Sequence, residues 1–468
     1  MQWIKKLHEE HDFSQGSIPG NILRLSLPLM VGQFINVLYS IVDRMYIGRI
    51  PGADSSALTG VGVSFPIITV VMAFAFLIGT GGPPLCSIAR GKQEDDKAEV
   101  IMGNAFALVV IAGILIIILG LAVKRPLLYA LGASEATFPY ADDYISIYLL
   151  GSVFVMISMG MNGFINCQGF ARIGMLTVLI GAVINIVLDP VFIFLFHMGV
   201  RGAAIATVTS QAVSALWIVC FLTGPRTLLR LRAGCMRLKL SYVKDILALG
   251  LSGFIMQATN CMVQIVCNVT LQNFGGDIYV GVMTIINSVR EVLSVPVNGF
   301  TQGAQPIIGF NYGAGKYSRV KQGIKFMSVI CIGYTTVVWI LTMLVPGAFI
   351  AIFNGSGELM EAGVHAMRIY FFGFCFMSLQ FSGQTVFTGL GKAKQAIFFS
   401  LLRKAVIVVP LTLILPHVAD LGVNGVFLAE PISNFIGGTA CFVTMLCIMW
   451  PARPFFLRCN KKISRLIK

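Results

Sequence analysis

Apolar stretches of about twenty residues recur from one end of this 468-residue chain to the other. As a helix, each stretch is long enough to cross a hydrocarbon layer about 30 Å thick. Only 12% of the residues are charged and the mean hydropathy is +0.84, whereas about a quarter of the residues of a soluble globular protein are charged. A soluble enzyme is therefore excluded. The sequence predicts an all-α polytopic membrane protein.

Twelve transmembrane helices are predicted, and we number them spans 1 to 12. Their bounds are 22–47, 56–80, 100–123, 141–163, 173–197, 200–222, 245–271, 279–303, 323–346, 362–388, 394–416 and 422–450. Residues 1–20 contain many ionisable side chains and no continuous apolar run, so they lack the pattern of a cleavable signal peptide. The first span is expected to act as the anchor.

The 34 lysines and arginines lie mostly on one side of these spans. The termini and the loops that follow even-numbered spans, together with the first residues of the spans that they lead into, hold 25 of them; the opposite loops hold four, and five lie deeper within spans. By the positive-inside rule, both termini face the cytoplasm and the chain is a multi-pass protein of the cell membrane. The net charge of +14 is thereby explained by topology. We expect membrane lipids, and no nucleic acid, among the partners.

An internal repeat aligns the first half of the chain with the second at an offset near 224 residues. The matches fall on polar, aromatic and glycine positions: Gln33 with Gln257, Asn36 with Asn260, Gly79 with Gly303, and Tyr148 with Tyr370. Each repeat has six spans, so both halves begin on the same side of the membrane and are related by an axis along its normal. Two such bundles leave a cleft at the pseudo-twofold axis, as in alternating-access transporters.

The repeat divides the chain into five predicted segments. They are a cytoplasmic N-terminal segment at 1–20, an N-lobe of spans 1 to 6 at 21–222, a cytoplasmic linker at 223–244, a C-lobe of spans 7 to 12 at 245–450, and a basic cytoplasmic tail at 451–468.

Span 1 carries one polar stripe that ends in a carboxylate. Gln33, Asn36, Ser40 and Asp43 follow each other at helical spacing and share one face. A charged group at the centre of a membrane helix costs at least ~2.5–3.5 kcal/mol, so Asp43 is a functional candidate. The alternative is an ion pair of Asp43 with the adjacent Arg44 at the outer surface.

Two further polar pairs lie at matching depth. Asn185 and Asp189 are four residues apart in span 5, and Thr207 and Gln211 are four apart in span 6. Counted from the outer ends of the spans, Asp43, Asp189 and Thr207 differ in depth by only ~6 Å. Two neighbouring carboxylates cannot both ionise cheaply, so the group is suited to carry a proton. The same oxygens are equally suited to hold Na⁺, and the residues do not select between the two ions.

Each of these residues also has a purely structural interpretation. Asp189 precedes Pro190 and is able to cap a proline-broken helix. Asn185, Thr207 and Gln211 are able to serve as ordinary interhelical hydrogen-bonding groups.

The second half does not repeat the carboxylate pair. Asp43 maps to Cys267, Asp189 maps to the neighbourhood of Leu411 and Thr412, and Thr207 maps to Glu430. Coupling is therefore expected to be asymmetric and confined to the N-lobe. The residues that we predict to line the substrate cleft are Gln33, Asn36, Gln211, Gln257, Asn260, Asn287, Glu291, Met377, Gln380 and Glu430. Arg290 is expected to neutralise Glu291 or to line the same cleft.

Five motifs carry a resemblance that covers nearly the whole chain. They are LSLPLMVGQFINVLYSIVDRMYIG, INIVLDPVFIF, GVRGAAIATVTSQ, GFNYGAGK and LGVNGVFLAEPIS. Together they resemble the multidrug and toxic compound extrusion (MATE) family of secondary transporters. The resemblance implies twelve helices in two six-helix lobes and the export of lipophilic or cationic compounds against an inward cation gradient.

The resemblance also implies roles for single residues. The cation site of similar members corresponds to Asp43, Asn185, Asp189 and Thr207, and a proline at which span 1 is able to bend corresponds to Pro28. Other members use acidic residues of spans 7 and 10. Those spans hold no Asp or Glu here except Glu361 at the mouth of span 10, so a C-lobe sodium site is not expected.

The sequence thus predicts a multidrug antiporter coupled to H⁺ or Na⁺, which is not an enzyme, needs no cofactor and acts as a monomer. Its transported partners are small lipophilic or cationic molecules. The alternative is a flippase for lipid-linked oligosaccharides or lipids of similar architecture, which would show a strongly basic cleft. Arg290, Arg368 and Arg403 keep that alternative open.

Overall fold

The computed structural model describes residues 12–47, 50, 55–352, 357–418 and 420–450. The predicted basic tail and most of the predicted N-terminal segment lie outside the described residues. Within the described part, nine helices are long and apolar enough to cross a membrane, and two bent helix pairs raise that number to eleven. The longest helix, Leu240–Gly313, contains a break at Gly276 (φ 68°, ψ −165°) and therefore supplies two spans. The prediction of twelve spans is confirmed.

The spans begin and end as follows. They are Ile18–Ile47, Ser55–Gly79, Asp95–Ala130, Phe138–Leu150 with Ser152–Cys167, Ala171–Pro190, Gly199–Thr223, the two arms of Leu240–Gly313, Tyr317–Leu344, Glu358–Phe371 with Phe374–Gly389, Ala393–Leu401 continued through a π-helical turn into Val409–Ile414, and Val423–Ser433 continued through a π-helical turn into Thr439–Met449. A short helix, Gly82–Gly91, follows span 2.

The bends of the chain repeat along with the sequence. Span 4 bends by 55° after Leu150, and span 10 bends by 44° after Phe371. These two breaks occupy equivalent positions of the repeat, where Gly151 corresponds to Gly373. The two halves therefore share local geometry as well as matching residues.

The inner halves of spans 1 and 7 pack into the opposite lobe. We call the membrane side that carries the linker the inner side. Ile18, Ile22 and Leu25 of span 1 belong to a buried apolar cluster formed mostly by spans 8 to 12. Ile246 of span 7 belongs to the buried cluster of spans 2 to 6. The predicted lobes are continuous stretches of the chain. In the structure, the first turns of spans 1 and 7 instead pack into the apolar core of the opposite lobe.

The segments that lead into these two spans also contact the opposite lobe. Arg319 at the start of span 9 donates hydrogen bonds to the backbone carbonyls of Phe13, Gln15 and Gly16, at 3.0–3.1 Å. In the linker, the side-chain oxygen of Gln168 accepts hydrogen bonds from Thr227, Leu228 and Leu229 at 2.7–3.0 Å. Helix formation resumes at Leu240, so the last residues of the predicted linker belong to span 7.

The lobes meet at their inner ends through glycines that allow close approach. A Cβ placed on Gly250 of span 7 would overlap the carbonyl oxygen of Leu77 and lie 2.7 Å from its carbonyl carbon. The equivalent contact on the other side of the axis joins Gly303 to Ser26, where an added Cβ would lie 2.7 Å from the Ser26 backbone. The Ser26 hydroxyl donates to the carbonyl of Phe300 across the same interface, at 3.2 Å. These contacts bring the backbones of the two halves together on the inner side.

Candidate functional site

The structure brings together the four residues predicted to form the N-lobe cation site. Asn185 donates from its side-chain nitrogen to the Asp189 carboxylate at 3.3 Å and to the Thr207 hydroxyl at 3.4 Å. The Asp43 carboxylate also interacts directly with that of Asp189. Asn185 and Asp189 are completely buried, and Thr207 is 5% exposed. Spans 1, 5 and 6 therefore converge on one buried polar site.

The chemistry of this site calls for a positive charge. Two ionised carboxylates offer only acceptors and repel each other, so Asp43 and Asp189 adjoin favourably only when a proton or a cation lies between them. The second oxygen of Asp189, Oδ2, and the side-chain oxygen of Asn185 are buried without a hydrogen-bond partner among the described residues. Buried acceptors left unsatisfied are costly, and a proton or a bare cation satisfies them. The donor set thus fits H⁺ or Na⁺.

Three tyrosines surround the site, and sequence reasoning did not place them there. The side chain of Tyr144 interacts with both Thr207 and Asp43. Tyr39 interacts electrostatically with both Asp43 and Asp189, and Tyr148 lies beside Tyr39 and Tyr144. Tyr39 lies four residues before Asp43 on the same helix face, so helical spacing alone was a sufficient signal for it. Tyr144 and Tyr148 carry no such signal.

The structural alternatives for these residues can now be compared with the geometry. Asp43 contacts Asp189 inside the lobe, while the side chain of Arg44 lies outside the described residues. Asn185 bonds Asp189 and Thr207 directly, so its interhelical hydrogen bonds are part of the site itself. Gln211 lies one turn from Thr207, and its side-chain oxygen is buried without a partner among the described residues.

The equivalent place in the C-lobe has the opposite charge. Cys267 and Thr412, the counterparts of Asp43 and Asp189, lie 3.9 Å apart. Glu430, the counterpart of Thr207, accepts two hydrogen bonds from Lys404 at 3.0 and 3.1 Å. Arg403 binds the same carboxylate at 3.3 Å. These contacts bury Glu430 inside the C-lobe, which differs from its predicted place in the open cleft, because its charge requires basic partners.

The other predicted cleft residues divide between the interface and the interior. Gln33 contacts Gln302 of span 8 at 3.5 Å and therefore bridges the lobes. Met377 and Gln380 are buried within the C-lobe, Met377 in an apolar cluster and Gln380 donating to the Phe399 carbonyl. Those that remain at least partly exposed are Asn36, Gln257, Asn260, Asn287 and Glu291. The nearest carboxylate to Arg290 among the ion pairs is that of Glu430, at 3.8 Å, rather than that of Glu291.

Comparison with known proteins gives a consistent result. The MatE family profile matches residues 28–191 and again residues 254–414. The multidrug export protein MepA of Staphylococcus haemolyticus is 24% identical over 442 residues, which cover 94% of this chain and 95% of MepA. MepA of Staphylococcus aureus (strain MSSA476) is 22% identical over 397 residues, 85% of this chain and 87% of its own length.

The fold is also that of solved transporters. A crystal structure of MATE in complex with MaL6 has a TM-score of 0.88 at 24% identity and covers 94% of this chain and 98% of its own. A MOP superfamily transporter from Pyrococcus furiosus, described as having a binding pocket of reverse polarity, gives a TM-score of 0.88 at 24% identity over 94% of this chain and 97% of its own. The double match of the family profile agrees with the internal repeat.

Proposed function

This chain belongs to the MatE family of membrane transporters, and we propose that it is a multidrug antiporter driven by H⁺ or Na⁺. It exports lipophilic or cationic compounds from the cytoplasm by alternating access, with both termini on the cytoplasmic side, and it works as a monomer without a cofactor. The relatives named multidrug export proteins support the substrate class. The coupling ion binds in the N-lobe.

One observation carries this proposal, namely the contact between the partly buried Asp43 and the fully buried Asp189. Two adjacent negative charges are costly when they are buried. A conformation that brings the two carboxylates together therefore binds a proton or Na⁺ more tightly than one that separates them. A site that binds the cation better in one conformation shifts the protein toward that conformation. Cation binding from outside is therefore able to favour release of the drug to the outside.

The driving force is sufficient for export. One charge that moves through 100 mV supplies ~2.3 kcal/mol, which is roughly a fiftyfold concentration gradient. With both termini on the cytoplasmic side, the close contact between Gly250 and Leu77 lies toward the cytoplasm and would block access from that side. Transport requires that this interface open in the other half of the cycle.

The flippase alternative receives less support from the basic residues. It predicts a strongly basic cleft, whereas Arg403 and Lys404 are buried against Glu430 inside the C-lobe and only Arg290 of that group is partly exposed. Arg368 is exposed in span 10 and takes no part in that cluster of ion pairs. We therefore retain the antiporter.

The test is efflux of ethidium, a fluorescent lipophilic cation, from proteoliposomes under an imposed H⁺ or Na⁺ gradient. We expect one gradient to drive efflux by the native protein, and Asp189→Asn to abolish it while ethidium binding persists. Asp277→Asn makes the same chemical change at an exposed C-lobe position and should leave efflux unchanged. The proposal is wrong if neither gradient moves ethidium, or if Asp189→Asn transports like the native protein. Light scattering of the purified protein tests the monomer.

A further inference from the structure

Three basic side chains surround one carboxylate in the C-lobe. We call Arg290, Arg403, Lys404 and Glu430 the basic cluster. All three cationic groups lie within 4 Å of Glu430, at 3.8, 3.3 and 3.0 Å. Among the ion pairs of the described residues, Glu430 is the carboxylate shared by all three. With its basic side chains protonated, the cluster carries a net charge of +2, and the exposed carboxylate of Glu291, which also interacts with Arg290, offsets only part of it.

Two of the three basic residues of the cluster donate hydrogen bonds to Glu430, and Arg290 does not. Lys404 contacts both oxygens of Glu430, and Arg403 contacts one of them as well as the neutral side-chain oxygen of Asn434. Arg290 is 3.8 Å from the carboxylate, which is beyond hydrogen-bond length. A guanidinium has five donors in a fork that matches a second carboxylate or a phosphate. Arg290 is therefore positioned to bind another anion.

The location of the cluster makes the excess charge expensive. Arg403 and Lys404 lie in the middle of span 11, and Arg290 lies about fourteen residues from the Gly276 break, or ~20 Å along span 8. Charged groups at such depth are rare and normally pair with one another. Glu430 neutralises only part of the positive charge of the cluster. A bound anion would neutralise more of it.

Arg290 is the most exposed member of the basic cluster. The side chains of Lys404 and Arg403 are 4% and 11% exposed, whereas that of Arg290 is 31% exposed. A ligand that approaches the cluster therefore meets Arg290 first, with Lys404 and Arg403 behind it. Tyr370, the repeat counterpart of Tyr148, interacts electrostatically with Arg290.

The internal repeat gives an independent argument for a binding role. The basic cluster includes Glu430, which is the counterpart of Thr207 in the N-lobe cation site. The same place in the fold thus collects negative groups in one lobe and positive groups in the other. A site that recognises a cation in the N-lobe is matched by one whose chemistry recognises an anion in the C-lobe.

We infer that the basic cluster binds an anionic group, a carboxylate or a phosphate, with Arg290 in direct contact. The group belongs either to a transported amphiphile or to a membrane lipid. The inference rests on the proposed function only for the first of these sources, because binding is measured without transport. It extends the expected substrates from cations to zwitterions that carry an anionic group as well.

The test uses rhodamine B and its ethyl ester, which share one cationic chromophore and differ only in a free carboxylate. Binding to the purified native protein in phosphatidylcholine nanodiscs is measured by fluorescence anisotropy, with empty nanodiscs as the blank. We expect the native protein to prefer the acid by about tenfold, which corresponds to ~1.4 kcal/mol. Arg290→Gln should lose that preference, and Arg290→Lys should keep part of it because the charge remains.

The matched control is Arg368→Gln, which removes the same charge from an exposed position of span 10 and should keep the full preference. A second arm repeats the measurement in phosphatidylglycerol nanodiscs. If these weaken rhodamine B binding to the native protein but not to Arg290→Gln, the lipid headgroup occupies the cluster. If they do not, the anion comes with the soluble amphiphile.

Two results would overturn the inference. One is equal affinity of the native protein for the acid and the ester. The other is a loss in Arg368→Gln as large as that in Arg290→Gln, which would indicate a general charge effect. Size-exclusion profiles of all variants establish that each is folded. A failure of gradient-driven ethidium efflux would count against the proposed function and leave this binding result unaffected.

Discussion

The contact between Gly250 and Leu77 offers the sharpest test of how the lobes meet. An alanine at position 250 would place its methyl group 2.7 Å from the Leu77 carbonyl carbon, where ordinary contacts are 3.4–4 Å, and would overlap the carbonyl oxygen. The obstacle is backbone on both sides, so no side-chain rotation relieves it. Spans 2 and 7 must therefore separate at their inner ends until the added methyl group reaches an ordinary contact distance from Leu77.

The cost of this separation sets the expected size of the effect. Overpacking costs typically ~1–3 kcal/mol, and a clash with rigid backbone belongs at the upper end of that range. Alanine gains up to ~1 kcal/mol over glycine as a helix former, which offsets part of the cost. We therefore expect the closed interface to lose about 2 kcal/mol, which is a shift of roughly thirtyfold toward states in which the inner ends are apart.

Hydrogen–deuterium exchange followed by mass spectrometry measures this opening. Peptides from the inner ends of spans 2 and 7 should exchange at least tenfold faster in Gly250→Ala than in the native protein. Gly333→Ala in span 9 is the matched control, because an added Cβ there meets no atom within 4 Å. Exchange in Gly250→Ala that equals exchange in both the native protein and Gly333→Ala would refute the argument.

Three further substitutions test other contacts. Arg319→Gln removes the donors that hold residues 12–17, and should raise their hydrogen exchange at least tenfold, whereas Lys321→Gln, whose ammonium lies over Trp450, should not. Asn104→Ala removes hydrogen bonds to the backbone of the linker and should destabilise the protein by about 1–3 kcal/mol, measured as a lower thermal midpoint by tryptophan fluorescence. Tyr144→Phe removes a hydroxyl that interacts with Thr207 and Asp43, and at about 1 kcal/mol for such a polar interaction it should weaken cation-driven ethidium efflux roughly fivefold; Tyr129→Phe, outside the site, should not.

The contact of Asp43, Asp189 and Thr207 was predictable because helical geometry is regular. A rise of 1.5 Å per residue fixes depth, and spacing of four residues fixes a face, so three spans of known direction are sufficient to bring the residues to one level. The count of twelve spans follows from length and hydropathy in the same way. Even the break at Gly276 agrees with the predicted division between spans 7 and 8.

The partners of Glu430 and the tyrosines around the cation site were not predictable. Arg403 and Lys404 lie in a different span from Glu430, and nothing local in the sequence indicates which lobe interior they face. Tyr144 and Tyr148 are spaced like ordinary core aromatics in an apolar helix. The packing of Ile18 and Ile22 against the other lobe has the same cause, since an aliphatic side chain does not specify its partner. These features depend on which helices are neighbours in space.

The exchange of the inner ends of spans 1 and 7 has a consequence for how the chain is made. Phe13 emerges early in translation, yet the side chain of Asn311, which donates to its carbonyl, follows 298 residues later. At about 5–20 residues per second, that interval is roughly 15–60 s. Throughout it, Phe13 is without this native contact. Completion of spans 8 and 9 then anchors residues 13–16, so this segment precedes the N-lobe in the chain and yet reaches its native place only after the N-lobe has been made.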